Sequence, residues 1–317
     1  VNPTFSSTTP APLSGHQIEL VLGDQEATVT DVGAKVRRYA VGGRDVFTPF
    51  PADTYAPAGH GAVLAPWPNR IRDGRYTWEG VEHQLDITEP ERGTALHGLV
   101  MWQRWQVVEV DDAAHRDGHA VTLELRLAPS GGYPFDLLMQ VTYRLTAAGL
   151  HVQAVATNLG ATAAPYGIGF HPWLSPGAGS LDECTIRIDA ASRVTVDDRL
   201  LPTGTAAVDG QYDLRTPRRA DEVDLDDAFV DVLRDEDGLS WIRLTGGDGR
   251  TAAVWMDESM DTWQACTGDH LGVVEWRRTG LAAEPQSCVA DAFRTGDRLV
   301  RLAPGESHEV TWGAALL

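Results

Sequence analysis

Lysine is almost missing from this chain: Lys35 is the only one in 317 residues. A mechanism running through a lysine Schiff base would have to use it. It falls in GAKVRRYAV, which reads as an early strand and not as a reactive site. Cysteine is scarce too. Cys184, Cys266 and Cys288 are an odd number at wide spacing, with no CxxC pair. That argues against a thiolate metal knuckle or a disulfide framework and for free thiols in a reducing compartment. No stretch approaches the ~18 unbroken apolar residues of a membrane helix, and there is no GxGxxG or Walker loop to cradle a phosphate. Positive charge is in deficit, with 26 Lys and Arg against 45 Asp and Glu, a net charge of -19. Such a surface repels polyanions, so neither nucleic acid nor an anionic membrane is an expected partner. The segment 1–14 is rich in Pro, Ser and Thr and lacks a basic region followed by an apolar run. It reads as a flexible leader, not a secretory signal, and a cytoplasmic location is expected.

What the chain has in abundance is alternation. Val121, Leu123, Leu125 and Leu127 take every second position, as do Val141, Tyr143 and Leu145, then Val152, Ala154 and Ala156. A period of two belongs to half-buried strands. Turn residues separate such runs at Gly42-Gly43, Gly131-Gly132, Gly246-Gly247 and Pro304-Gly305, and Tyr76 to Val81 reads as a strand entering a tight turn. Long amphipathic helices are lacking. Strands joined by short turns predict an all-β fold, a large antiparallel β-sandwich or a closed barrel. The hydrophobic content of 43% suffices for a sizeable core, and no composition break divides the middle, so residues 15–317 are expected to form a single domain.

On such a fold a site is assembled from strand ends, and its residues are scattered in sequence. In Ala65 to Ile71, two prolines bracket Trp67 ahead of Asn69 and Arg70, an aromatic face beside forked hydrogen-bonding groups of the kind that hold neutral sugars. His97 stands beside Gly98. In Pro165 to Trp173, two glycines allow a close backbone approach and Pro172 fixes the chain after His171, a side chain that titrates near neutrality. Glu284 follows apolar residues and is locked by Pro285, an environment that raises a carboxyl pKa and suits it to general-base work. Asp226 and Asp227 precede an apolar strand and are suited to gripping vicinal hydroxyls. Taken singly, each segment is also compatible with an ordinary turn or a structural side chain.

Together and in this order the segments resemble the aldose 1-epimerase (galactose mutarotase-like) family. The matching elements are Asn69-Arg70-Ile71 with Gly74 and Tyr76, His97-Gly98, His171-Pro172-Trp173, Leu201 to Gly204, Asp226 to Phe229, and Glu284-Pro285-Gln286. The resemblance runs from about Gly15 to the C-terminus. It implies a β-supersandwich working without metal or coenzyme. It also implies roles: Glu284 as general base, His171 as general acid, His97 as a second histidine near the ring oxygen, and Arg70 as a sugar-binding arginine. Asp226 would hold sugar hydroxyls, with Asp227 one residue away as the alternative, and Asn69, Gln286 and Trp173 would support the substrate. Trp67 and Trp173 depart from the residues of galactose-specific members, which leaves the sugar open among glucose, galactose and phosphorylated or sulfonated hexoses.

The reaction so implied is interconversion of α and β anomers of a free aldohexose. Glu284, ionised, takes the proton of the anomeric hydroxyl, and His171, positively charged, gives one to the ring oxygen as the ring opens. A glycoside hydrolase is the first rival. Asp226 and Glu284 would be its carboxylates, about 5–9.5 Å apart, which leaves both histidines without a role. A noncatalytic carbohydrate-binding module is the second. A metal enzyme using His97, His171 and Glu284 is the third, disfavoured because no two of these ligands are closely spaced. The expected partner is a small sugar, and the expected assembly a monomer or homodimer.

Overall fold

The computed structural model describes residues 10–111 and 119–317. Alternation in sequence becomes alternation in burial. Every second side chain of Leu137–Thr146 is buried, and a near-identical rhythm runs along Gly149–Asn158. Successive side chains of a strand point to opposite faces, so such segments can satisfy both a core and solvent.

Among the described residues, twelve strands join in one sheet and nine in a second. The larger sheet runs Gln17–Leu22, Gln25–Thr30, Lys35–Val41, Arg44–Phe47, Trp173–Leu174, Leu281–Gln286, Thr262–Cys266, Asp226–Val232, Ala190–Val196 and Pro202–Ala207, with Val63–Leu64 and Gly169–Phe170 paired alongside. The middle of the smaller sheet is Leu137–Thr146, Gly149–Asn158, Ser307–Leu316 and Thr251–Met256. The strand pairs within these sheets are antiparallel. One cluster of buried apolar side chains extends from Leu20 to Ala314 and draws on both sheets. This is the all-β antiparallel sandwich that the alternation predicts. The Tyr76 to Val81 turn is a two-residue hairpin joining Arg75–Trp78 to Val81–Gln84, with Glu79 and Gly80 both at positive φ, the geometry that matches strand twist.

Of the leader expected over 1–14, residues 1–9 lie outside the described residues. Ser14 is buried, and its backbone N–H and hydroxyl both donate to the Ala52 carbonyl, at 3.0 and 2.6 Å. Lys35 is a strand residue and is buried. Its ammonium donates to the carbonyls of Val32, at 3.0 Å, and Met101, and lies 4.5 Å from the centre of the Trp102 ring. Burial lowers its pKa to about 7. The sole lysine thus ties the segment after His97 to the sheet.

Gly98 is required by a close approach of two backbones. It sits at φ +74°, and a Cβ there would lie 2.0 Å from the Ala65 carbonyl oxygen. The glycine lets this chain press onto Ala65, whose carbonyl accepts the Leu99 N–H at 2.7 Å. Gly98→Ala is therefore expected to lose more than the ~1–3 kcal/mol that a strained backbone alone costs. Chemical denaturation measures it, and an unchanged midpoint would contradict this account of the glycine.

Candidate active site

Register in the larger sheet builds the floor of a cleft of about 770 Å³. Glu284 lies opposite Gln264, and Cys266 opposite Asp226. Facing residues of an antiparallel pair project to the same side, and so do residues two apart along a strand. Glu284, Gln264, Cys266 and Asp226 therefore share one face, while Trp263, Ala265 and Ala283 enter the core on the other. Leu281–Gln286 is buried at every position, apolar packing on one side and polar contacts on the other. Asp227 pairs with Ala265, faces away from the cleft, and meets Arg193 Nη1 at 3.4 Å. Of the two aspartates, Asp226 lines the cleft.

The walls come from three other segments. Asn69 and His97 are locked to each other: the His97 N–H donates to the Asn69 carbonyl at 2.9 Å, and the Asn69 N–H donates to His97 Nδ1 at 3.2 Å. Asn69 Nδ2 donates to Gln264 Oε1 at 3.1 Å, and Gln264 Nε2 donates to Asp226 Oδ1 at 2.8 Å. Arg70 forks onto Glu89 at 2.8 and 3.0 Å, reaches Asn69 Oδ1 at 3.3 Å, and stands 4.0 Å from Asp226 Oδ2. The backbone of His171 is clamped by the 59–62 turn, through His171 N to Ala62 O at 3.0 Å and Gly61 N to His171 O at 2.8 Å. Gly59 lies over the imidazole, where a Cβ would come within 3.1 Å of the ring. The glycines before His171 serve packing: Cβ atoms on Gly167 and Gly169 would run into Cys288 Sγ and Pro68.

At the floor, His171 Nε2 is 3.4 Å from Glu284 Oε1. Glu284 Oε2 accepts from Gln286 Nε2 at 3.0 Å. Trp173 Nε1–H donates to His171 Nδ1 at 3.0 Å, and His60 stacks on the Trp173 ring at 4.4 Å and 5°. The His97 and His171 rings meet edge to face, 5.4 Å apart. Burial raises the Glu284 pKa well above the carboxylate range, helped by the charge of Asp226 and opposed by Gln286 and Arg70. Burial lowers His171 to about 4 and His97 far below the usual imidazole value.

The cleft brings together Asn69, Arg70, His97, His171, Trp173, Asp226 and Glu284. Three expectations change in detail. Gln286 is fully buried behind Glu284 and holds that carboxyl, with no place in the cleft lining. Trp173 is 1% exposed, and its single N–H is spent on His171. Burial works against the positive charge expected on His171, and its Nδ1 accepts the Trp173 N–H. Two members of the network escaped the sequence reading. Gln264 bridges Asn69 and Asp226 from within TWQAC, and Glu89 seats Arg70 from TEPERG. Neither carries a local signal, since their partners are fixed by tertiary structure.

A family model for aldose 1-epimerase matches residues 16–313. The uncharacterized protein YihR of Escherichia coli K12 is 34% identical over 301 residues, covering 94% of this chain and 92% of that protein. The galactose mutarotase of Rattus norvegicus is 36% identical over 173 residues, 50% of this chain and 45% of that protein. A solved galactose mutarotase-like protein from Clostridium acetobutylicum superposes with a TM-score of 0.83 at 18% identity over 95% of each chain.

The Arg70–Glu89 pair makes a test of the network. Removing one partner of a buried ion pair strands the other charge and typically costs about 3–5 kcal/mol. Glu89→Ala should destabilise the protein on that scale in thermal or urea unfolding. A loss within ordinary surface-mutation noise would show that Arg70 is held by other means.

Proposed function

The chain belongs to the aldose 1-epimerase family, and from that premise we propose that it interconverts the α and β anomers of a free aldohexose by opening and closing the sugar ring. The observation that carries the reading is the approach of Glu284 Oε1 to within 3.4 Å of His171 Nε2 at the floor of the cleft. A carboxyl and an imidazole this close flank two oxygens bound to one carbon, the anomeric hydroxyl and the ring oxygen. Glu284 takes the hydroxyl proton. Its raised pKa makes it a stronger base than an exposed glutamate. His171 and His97 address the ring oxygen. Arg70, Asn69, Gln264 and Asp226 form a wall of fixed donors and acceptors suited to the remaining hydroxyls. No hydride moves and no C–H bond breaks, so the reaction itself calls for no coenzyme.

A hydrolase reading assigns the chemistry to Asp226 and Glu284 alone. It leaves two inward imidazoles idle and uses an aspartate already engaged by Gln264 at 2.8 Å.

Anomer exchange, followed by polarimetry or saturation-transfer NMR, tests the proposal. Glu284→Gln removes the base, spares the fold the burial of a carboxylate, and should lower the rate by about 10²–10⁴-fold in a protein that unfolds no earlier than wild type. Exchange at the wild-type rate would remove Glu284 from the mechanism. A base must be unprotonated, so activity should be lost as pH falls through the Glu284 pKa. That fall should come above the ordinary carboxylate range, and a loss confined to that range would contradict the assigned environment.

A further inference from the structure

The lining of the cleft divides by exposure. Glu284, His171, Asn69 and Arg70 are buried, whereas Glu91, Asp198, His270 and Trp102 line the same cleft and are exposed, which places them toward its mouth. The ring-opening reading uses none of this outer set. A single hexose is also small for the space. Sites for drug-sized ligands measure about 300–1,000 Å³, and this cleft, at about 770 Å³, has room beyond one sugar ring.

Trp102 is the largest of the outer groups, and it is held as a fixed plate. The Lys35 ammonium lies over its ring, 4.5 Å from the centroid, and is itself buried and bonded to the carbonyls of Val32 and Met101. Tyr55 meets the indole edge to face, at 6.3 Å and 86°. Even so, Trp102 stays 50% exposed and Tyr55 68%. Each has a neighbour in the cleft lining, Met101 before Trp102 and Ala56 after Tyr55. The aromatic pair therefore continues the wall of the cleft. Water against these rings is an unfavourable contact that a ligand can relieve.

Ring geometry says what reaches the plate. In a pyranose the C3–C4 bond lies opposite the C1–O5 bond. With O1 and O5 at Glu284 and His171, O3 and O4 point toward the mouth. A group attached to either of them leaves the anomeric hydroxyl free and passes into the outer cleft. A second sugar ring suits that space, because it carries a C–H face for the indole and hydroxyls for polar side chains. Glu91, Arg92, Asp198 and His270 supply the polar side chains. Two carboxylates stand there against one guanidinium, and that guanidinium is already bonded to Glu89 at 2.8 Å, so the setting favours a neutral ring over an anionic group.

Resting on the ring-opening reading above, we propose that the cleft takes a reducing disaccharide joined through O3 or O4 of its reducing unit. Trp102 and Tyr55 form the subsite for the second ring. Only the reducing unit undergoes anomer exchange. The second ring adds binding that is equal in the ground state and the transition state, so it lowers KM and leaves kcat unchanged.

Saturation-transfer NMR of anomer exchange tests this with the full chain. Glucose is compared with maltose and cellobiose, and galactose with 4-O-β-galactosyl-galactose, so that the reducing unit is the same within each comparison. For the reducing unit that is accepted, the disaccharide KM should be lower by about tenfold, the worth of one good aromatic contact, at similar kcat. Trp102→Ala should raise the disaccharide KM to that of the hexose, and Trp102→Phe should keep most of the advantage. Should Trp102→Ala fail to fold once Lys35 loses its cover, Tyr55→Ala, at a more exposed site, should still lose part of the advantage. A wild-type disaccharide KM no lower than that of the hexose, or an advantage untouched by these substitutions, overturns the subsite and leaves the proposed function standing. A dimer in light scattering that Trp102→Ala dissolves would put a second copy of this chain on the plate and also overturn the subsite. A wild type that speeds exchange in none of these sugars overturns the proposed function and the subsite with it.

Discussion

The site depends on one alternation, the period of two along Thr262–Cys266. Trp263 and Ala265 are driven into the core, so Thr262, Gln264 and Cys266 must face the other way. Pairing then sets Glu284 beside Gln264 on one flank and Asp226 beside Cys266 on the other. A slip of one residue would exchange the two faces, burying Gln264 among apolar groups and exposing Trp263. The apolar packing that stabilises the sandwich thereby aims the polar groups of the cleft.

Around that floor, buried polar groups are held mainly by one another. Asn69 links His97, Arg70 and Gln264, and Gln264 links Asn69 to Asp226. Such networks are stiff because each member left unpaired would cost its full desolvation. The electrostatic consequence is uneven. Arg70 is paired with Glu89, whereas burial works against a positive charge on either histidine and each Nδ1 accepts an N–H. Glu284 lies between these regimes, buried, close to Asp226, and bonded by Gln286.

Much of this was readable in the chain, for identifiable reasons. Period-two runs such as Val141, Tyr143 and Leu145 become buried strand faces because strands alternate whatever their partners. Segments with unusual local chemistry, Asn69-Arg70, His97-Gly98, His171 to Trp173 and Glu284, converge on one cleft. What sequence could not show is where a side chain spends its hydrogen bonds. Gln286 looked like a sugar contact and serves Glu284. Trp173 looked like a support for the substrate, and its N–H serves His171. Gly98, next to His97 in sequence, makes room for the Ala65 carbonyl. Gln264 and Glu89 stayed invisible because their partners are brought to them by pairing and packing across the fold.

The central claim is that one sugar presents two oxygens of the same carbon to Glu284 and His171. A crystal structure of Glu284→Gln soaked with a free hexose tests it most directly. The account predicts the anomeric oxygen within hydrogen-bond reach of residue 284 and the ring oxygen facing His171 Nε2, with Trp173 still donating to Nδ1. A sugar bound with its anomeric carbon pointing out of the cleft, or seated elsewhere on the sandwich, would contradict it.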